Sequence, residues 1–192
     1  KGEADKGGVE GKSSADRYAA AGLQYKGGNF TGVLTGEYTM WGNDKNPNLD
    51  DGYNVILGGN YDFGVAKVYA FADYFDNMTP ATLEGKADFG LVKDSALTAL
   101  KGWGASLSVK APVFGGNAMA AVGYRDAKDA GNSDAKFERW NAAVGYTYAF
   151  SKRTNVYGAV TYVQEKGKKN SDANLNRTPN ETQVGFGLVH KF

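Results

Sequence analysis

Two-residue alternation dominates the chain: in segments of about ten residues, apolar side chains take every second position and polar residues, Gly or Ala take the positions between. That period puts the apolar set on one face of a β-strand, and the 3.6-residue period of a helix is nearly absent. Nine segments follow the pattern: Arg17–Tyr25, Phe30–Trp41, Tyr53–Asp62, Val65–Phe75, Lys101–Ala111, Ala118–Asp126, Arg139–Ala149, Asn155–Gln164 and Thr182–Phe192.

The links between them alternate in length. Short ones are Lys26–Asn29, Asp62–Gly64, Pro112–Asn117 and Ser151–Thr154, and three of these contain Gly, which supplies the positive φ of hairpin turns. Long ones, rich in Asn, Asp, Lys and Gly, are Gly42–Gly52, Asp76–Leu100, Ala127–Glu138 and Glu165–Glu181. An up-and-down meander with tight turns at one rim and long loops at the other produces this order, and a Greek-key sandwich does not produce it so regularly.

The apolar face identifies the solvent. Tyr53, Val55, Leu57, Gly59 and Tyr61 oppose Asn54, Ile56, Gly58, Asn60 and Asp62, and Trp140, Ala142, Val144, Tyr146 and Tyr148 oppose Arg139, Asn141, Ala143, Gly145 and Thr147. Aromatics gather near the ends of the apolar face, at Tyr25, Tyr38, Tyr53, Tyr61, Tyr74, Trp103, Tyr124, Trp140, Tyr148, Tyr162 and Phe192, with Ala, Val and Leu between. Strands of 9–11 residues, apolar outside and polar inside, with aromatic girdles, describe a transmembrane β-barrel. The competing reading is a soluble barrel or sandwich whose apolar face is the core, but strands there usually run about 5–6 residues.

Composition agrees. Of 192 residues 27 are Gly, about twice the ordinary share of roughly 7%. The longest run of apolar or glycine residues, Ala118–Tyr124, is seven, far below the roughly 20 of a membrane-spanning helix. No signal peptide opens the chain, which leaves a mature polypeptide, a fragment or a cytosolic protein. With no Cys, there are no disulfides, thiol nucleophiles or thiolate metal sites. A net charge of +1 proposes no nucleic-acid partner. No phosphate loop, dinucleotide fingerprint or zinc spacing is present, and neither an enzymatic activity nor a cofactor is expected.

An odd strand count does not close. The first and ninth strands of a meander run the same way, whereas bacterial single-chain barrels use even numbers and leave no unpaired edge in lipid. Residues 1–15, polar and Gly-rich, read as an extracellular loop rather than a tenth strand, and residues 16–192 as the meander. The expectation is a chain that starts mid-barrel, with tight turns periplasmic and long loops extracellular.

Three stretches carry a family resemblance: Tyr61-Asp62-Phe63-Gly64-Val65-Ala66-Lys67-Val68-Tyr69-Ala70, Phe150-Ser151-Lys152-Arg153-Thr154-Asn155-Val156-Tyr157, and the ending Gly185-Phe186-Gly187-Leu188-Val189-His190-Lys191-Phe192. Together they resemble the general porins of beta-proteobacteria, the neisserial type included. The resemblance covers the whole chain and implies the C-terminal nine of sixteen strands. It implies a homotrimeric outer-membrane channel for small hydrophilic solutes, in contact with the bilayer and lipopolysaccharide. It also implies a constriction loop after the fifth strand of the full barrel, outside this sequence. An outer-membrane barrel that works through its long loops as an adhesion or interaction module is the alternative.

Candidate residues follow. Phe192, with Leu188 and Phe186 at alternate positions before it, resembles the signal read by barrel-assembly machinery; the plain reading is a strand end with an interfacial aromatic. By parity Lys67, Lys110, Arg125 and Arg139 face the lumen against Glu37 and Asp73, an excess of cations that predicts a modest anion preference, unless the groups pair with one another and only fill the wall. Positive charge is thus expected on the wall and acids mostly in loops. His190 sits on the apolar face with no Ser or acid beside it on its strand, a rim-packing position. Asn46–Gly52 and Asn170–Asn176 could offer oxygens to calcium but match no calcium-loop spacing, and Asn180-Glu181-Thr182 matches the glycosylation pattern only formally.

Overall fold

A computed structural model describes residues 16–41, 50–78, 99–131, 134–173 and 176–192; the expectations for residues 1–15 and for much of Gly42–Gly52 and Asp76–Leu100 lie outside these. The described residues form nine strands, β1 (Arg17–Gly27), β2 (Phe30–Met40), β3 (Gly52–Asp62), β4 (Lys67–Met78), β5 (Leu100–Val113), β6 (Gly116–Asp129), β7 (Ala135–Ala149), β8 (Thr154–Lys169) and β9 (Asn180–His190). They make one sheet in sequence order, every neighbouring pair antiparallel. This is the expected up-and-down meander.

The register carries the alternation from strand to strand. Tyr38 pairs with Tyr53, Val55 with Tyr74, Ala105 with Tyr124, Tyr124 with Trp140 and Val160 with Val184, so the apolar sets share one face. A one-residue slip would send every apolar side chain to the other side. Leu23, Leu57, Val122, Val144 and Val184, all more than half exposed, have no protein cover on that face.

Each tight link has a local cause. Between β5 and β6 the turn is only Phe114-Gly115, with φ of 49° and 77°, the left-handed pair that a two-residue hairpin requires. The Tyr146 hydroxyl donates to the carbonyls of Val113 (2.9 Å) and Phe114 (3.0 Å) and holds that turn from β7. At Asp62–Gly64 the Asp62 carboxylate accepts the Gly64 N–H at 2.8 Å. In Ser151–Thr154 the Ser151 hydroxyl oxygen accepts the N–H groups of Arg153 and Thr154, both at 3.1 Å.

Strand ends differ from expectation at the long-loop rim. β5 to β8 run to 14, 14, 15 and 16 residues, so Ala127–Asp129, Ala135–Glu138 and Glu165–Lys169, expected in loops, are strand. Their polar sequence hid them, while ladder pairs such as Lys128 with Lys136 and Glu138 with Lys166 keep the hairpins going beyond the apolar zone. At the other end β9 stops at His190: Lys191 and Phe192 lie past the strand, with the Lys191 N–H donating to the Arg153 carbonyl at 2.8 Å. Val65, expected to open β4, lies in the preceding bend.

A small core lies on the polar face, near the long-loop rim. Phe75, Met78, Leu100 and Ala127 are fully buried and Phe137 nearly so. Parity places Phe75 there, but nothing in the alternation announces that this end of a polar face is packed. The same rim includes the closest strand approach: a Cβ on Gly102 would lie 2.1 Å from the Asp126 carbonyl oxygen. On Gly185 it would meet nothing within 4 Å.

Gly102→Ala should therefore cost about 1–3 kcal/mol of stability through forced backbone displacement, with Gly185→Ala within about 0.5 kcal/mol of wild type. Urea unfolding of the folded full-length protein in detergent, followed by tryptophan fluorescence, measures both.

Candidate functional site

The polar face is the concave one. Two depressions open on it, one of about 280 Å³ bordered by Phe71, Asp73, Gly104, Ser106, Gly123, Arg125, Arg139 and Asn141, the other of about 400 Å³ bordered by Tyr69, Ser108, Lys110, Met119, Ala143 and Gly145.

Across the first depression one register row carries the charges. Asp73 of β4 pairs with Gly104 of β5, Gly104 with Arg125 of β6, Arg125 with Arg139 of β7, and Arg139 with Glu165 of β8. Gly104 makes the row workable. A Cβ there would lie 2.5 Å from Asp73 Oδ1 and 3.6 Å from Arg125 Nε, so acid and guanidinium lean toward each other over a missing side chain. Gly123 does the same for Asn141, whose Oδ1 would be 2.6 Å from an added Cβ.

Two arginines directly opposite each other repel. Each is offset by an acid on its far side: Asp73 for Arg125, and Glu165 for Arg139, with Glu165 Oε1 3.4 Å from Arg139 Nη1. The Arg125 guanidinium also lies 5.8 Å from the centre of the Phe75 ring, tying the charged row to the small core. Lower on the same face Lys67 pairs with Lys110 and leans over Tyr69, 5.7 Å from the ring centre.

All six charges singled out in the sequence, Lys67, Lys110, Arg125, Arg139, Glu37 and Asp73, fall on this face. The four-to-two excess of cations does not stand once the longer strands are counted. Lys26, Lys67, Lys110, Arg125, Arg139 and Lys169 are matched in number by Glu37, Asp62, Asp73, Asp129, Glu165 and Glu181. What differs is access. Asp73, Asp129 and Glu165 are 8%, 8% and 2% exposed, while none of the six cations is buried. Glu165 falls in the expected long link Glu165–Glu181; its place next to Arg139 becomes visible only when β8 is known to continue, so the wall holds more acid than the alternation predicts.

On the opposite face the aromatics form pairs between strands: Tyr53 with Tyr74 (ring centres 6.1 Å apart), Trp103 with Tyr124 (5.5 Å) and Trp140 with Tyr162 (5.0 Å). Tyr25, Tyr38, Tyr61 and Tyr148 lie on that face too, toward the strand ends. Their polar atoms stay engaged at the rim, as where Tyr38 donates to Asp51 (2.7 Å) and Trp140 Nε1 to Gln164 (2.9 Å). In β9 Phe186, Leu188 and His190 share the face, and His190 sits edge-on to Phe192 at 5.0 Å. His190 Nδ1 lies 2.9 Å from the Thr154 hydroxyl across the hairpin, a partner invisible along its own strand. Among the described residues no group of three or more His, Cys, Asp or Glu could hold a metal ion.

A family model of Gram-negative porins matches residues 1–168. No curated protein matches the chain. Among solved structures it is similar to an anion-selective porin from Comamonas acidovorans, with a TM-score of 0.60 and 23% identity over 92% of this chain and 49% of that one. The chain thus spans about half the length of that structure, and at this identity the likeness speaks for the fold. With the family match over most of its length and a sheet of the corresponding form, the chain belongs to the Gram-negative porin family, whose strands cross the outer membrane.

Proposed function

We propose that this protein forms a water-filled channel for passive diffusion of small hydrophilic solutes and ions, without cofactor or catalysis. The observation that carries the reading is the two-faced sheet, with uncovered Leu, Val and aromatic side chains on one side and a concave polar wall with depressions on the other. In this reading the aromatic pairs form the membrane girdles. The nine strands are part of a sixteen-strand barrel of the neisserial type, which supplies partners for the outer edges of β1 and β9. The working assembly is a homotrimer.

The channel favours anions modestly. Support comes from burial rather than from the count of charges: Lys26 and Lys110 are exposed and Arg125 and Arg139 partly so, while Asp73, Asp129 and Glu165 are withdrawn from the water that an ion would cross. Fixed charge at a polar wall raises the local concentration of the opposite ion and biases its passage.

Planar-bilayer recording on the full-length protein tests this. Wild type should show large ohmic steps and a reversal potential of anionic sign in a salt gradient, and Arg125→Glu with Arg139→Glu should lower the anion-to-cation permeability ratio by about twofold or more. A cation-selective wild type contradicts the preference, and absence of conductance with retained binding of a surface partner would favour the adhesion module.

Assembly gives a second prediction. Phe186, Leu188 and Phe192, exposed at alternate positions, fit an element read by the barrel-assembly machinery. Deleting Phe192 should reduce folded protein in the outer membrane several-fold, seen as loss of the heat-modifiable band on gels; an unchanged band contradicts the role.

A further inference from the structure

The second depression on the concave wall departs from the rule that this face is polar. Tyr69 and Met119 are each 36% exposed at its border, and Ala121, Ala143 and Gly145 form its floor. Large apolar side chains left open to water around a hollow mark a place for an apolar group. At about 400 Å³ the hollow falls within the roughly 300–1,000 Å³ of small-molecule sites.

Register gives the hollow its shape. Tyr69 pairs with Ser108, Ser108 with Ala121 and Ala121 with Ala143, while in the next row of this face Lys67 pairs with Lys110, Lys110 with Met119 and Met119 with Gly145. Ala121, Ala143 and Gly145 carry at most a methyl group, so the floor is flat. A planar ring lies well on such a floor, and an aromatic ring and a thioether at its border are both favourable neighbours for it.

The edge of the hollow is positive. Lys110 is exposed and stands opposite Lys67. Lys67 is offset by Asp62, its partner on β3, and by the Tyr69 ring it leans over. Lys110 has no such neighbour: among the described residues its own row continues through Met119 and Gly145, and the rows on either side, Tyr69-Ser108-Ala121-Ala143 and Pro112-Asn117-Thr147, contain no acid. Ser108, two residues before Lys110 on the same face, adds a hydroxyl donor. The charged row lies apart, since Gly104 is six residues from Lys110 along β5, or about 20 Å.

We propose that this depression is a wall subsite for a small aromatic monocarboxylate of the benzoate type, with the ring on the Ala–Gly floor and the carboxylate at Lys110 and Ser108. The proposal rests on the porin reading for access from the lumen, and it names a solute class that fixed charge alone would not distinguish from any other anion. Its test uses folded full-length protein in detergent, titrated calorimetrically with benzoate, with acetate, which lacks the ring, and with benzamide, which lacks the charge.

Benzoate should bind wild type at least fivefold tighter than either of the other two. Lys110→Gln should weaken benzoate at least fivefold, and so should Ala143→Leu, which fills the floor and keeps both lysines. Equal binding of benzoate and acetate, or of benzoate and benzamide, overturns the proposal, and these comparisons need no variant. Wild-type affinity for benzoate in folded Lys110→Gln also overturns it, as does loss of binding in Arg125→Gln with Arg139→Gln but not in Lys110→Gln, which would move the site to the charged row. Conductance of wild type in potassium chloride is read in parallel; its absence would defeat the porin reading, a separate outcome from the titration.

Discussion

Backbone amides inside a hydrocarbon layer have no water to bond with, and each unsatisfied N–H or C=O there costs several kcal/mol. Antiparallel ladders answer that constraint here. Eight of them join nine strands without interruption apart from the irregularity between Phe75 and Met78. Once the backbone is committed to the sheet, side chains have only two directions to go, and the strict period of two sorts them. Every functional feature follows from that sorting: the girdle and the concave charged wall are different stretches of the same strands, seen from one side or the other.

The charged wall shows how a sheet handles unfavourable neighbours. Register sets Arg125 opposite Arg139, and the repulsion is offset by an acid on each outer flank, Asp73 with room over Gly104 and Glu165 beside Arg139. On the other face Lys128 stands opposite Lys136, and the adjacent row holds Asp126 opposite Glu138. The two faces therefore differ in more than polarity. On the concave side Asp73 and Glu165 are drawn in and buried among the strands, whereas on the outer side Asp126 and Glu138, paired with each other, are not buried.

Fold and facing were legible because alternation, turn residues and link lengths are local signals. Tyr53 to Tyr61 and Trp140 to Tyr148 show their face without any knowledge of a neighbour, and Ser151 and Asp62 carry the turn chemistry in their own side chains. What stayed hidden depended on neighbours. Glu165 reads as loop because Gln164-Glu165-Lys166 has no apolar alternation, yet β7 keeps pairing with it. The core of Phe75, Leu100, Ala127 and Phe137 draws on four strands and breaks the rule that the concave face is polar. The row Lys101, Lys128, Lys136 and Lys168 consists of single residues on four strands and exists only as a register fact.

The central claim is that successive residues of one strand face lipid and water in turn. These 192 residues contain no cysteine, so a single cysteine placed in them has no native thiol beside it on these strands. In full-length protein reconstituted into bilayers, Asn141→Cys and Ala143→Cys on β7 should react with a membrane-impermeant hydrophilic thiol reagent, while Ala142→Cys and Val144→Cys should stay protected until the bilayer is dissolved. Equal reactivity at all four positions, or protection of Asn141→Cys and Ala143→Cys instead, would contradict the account.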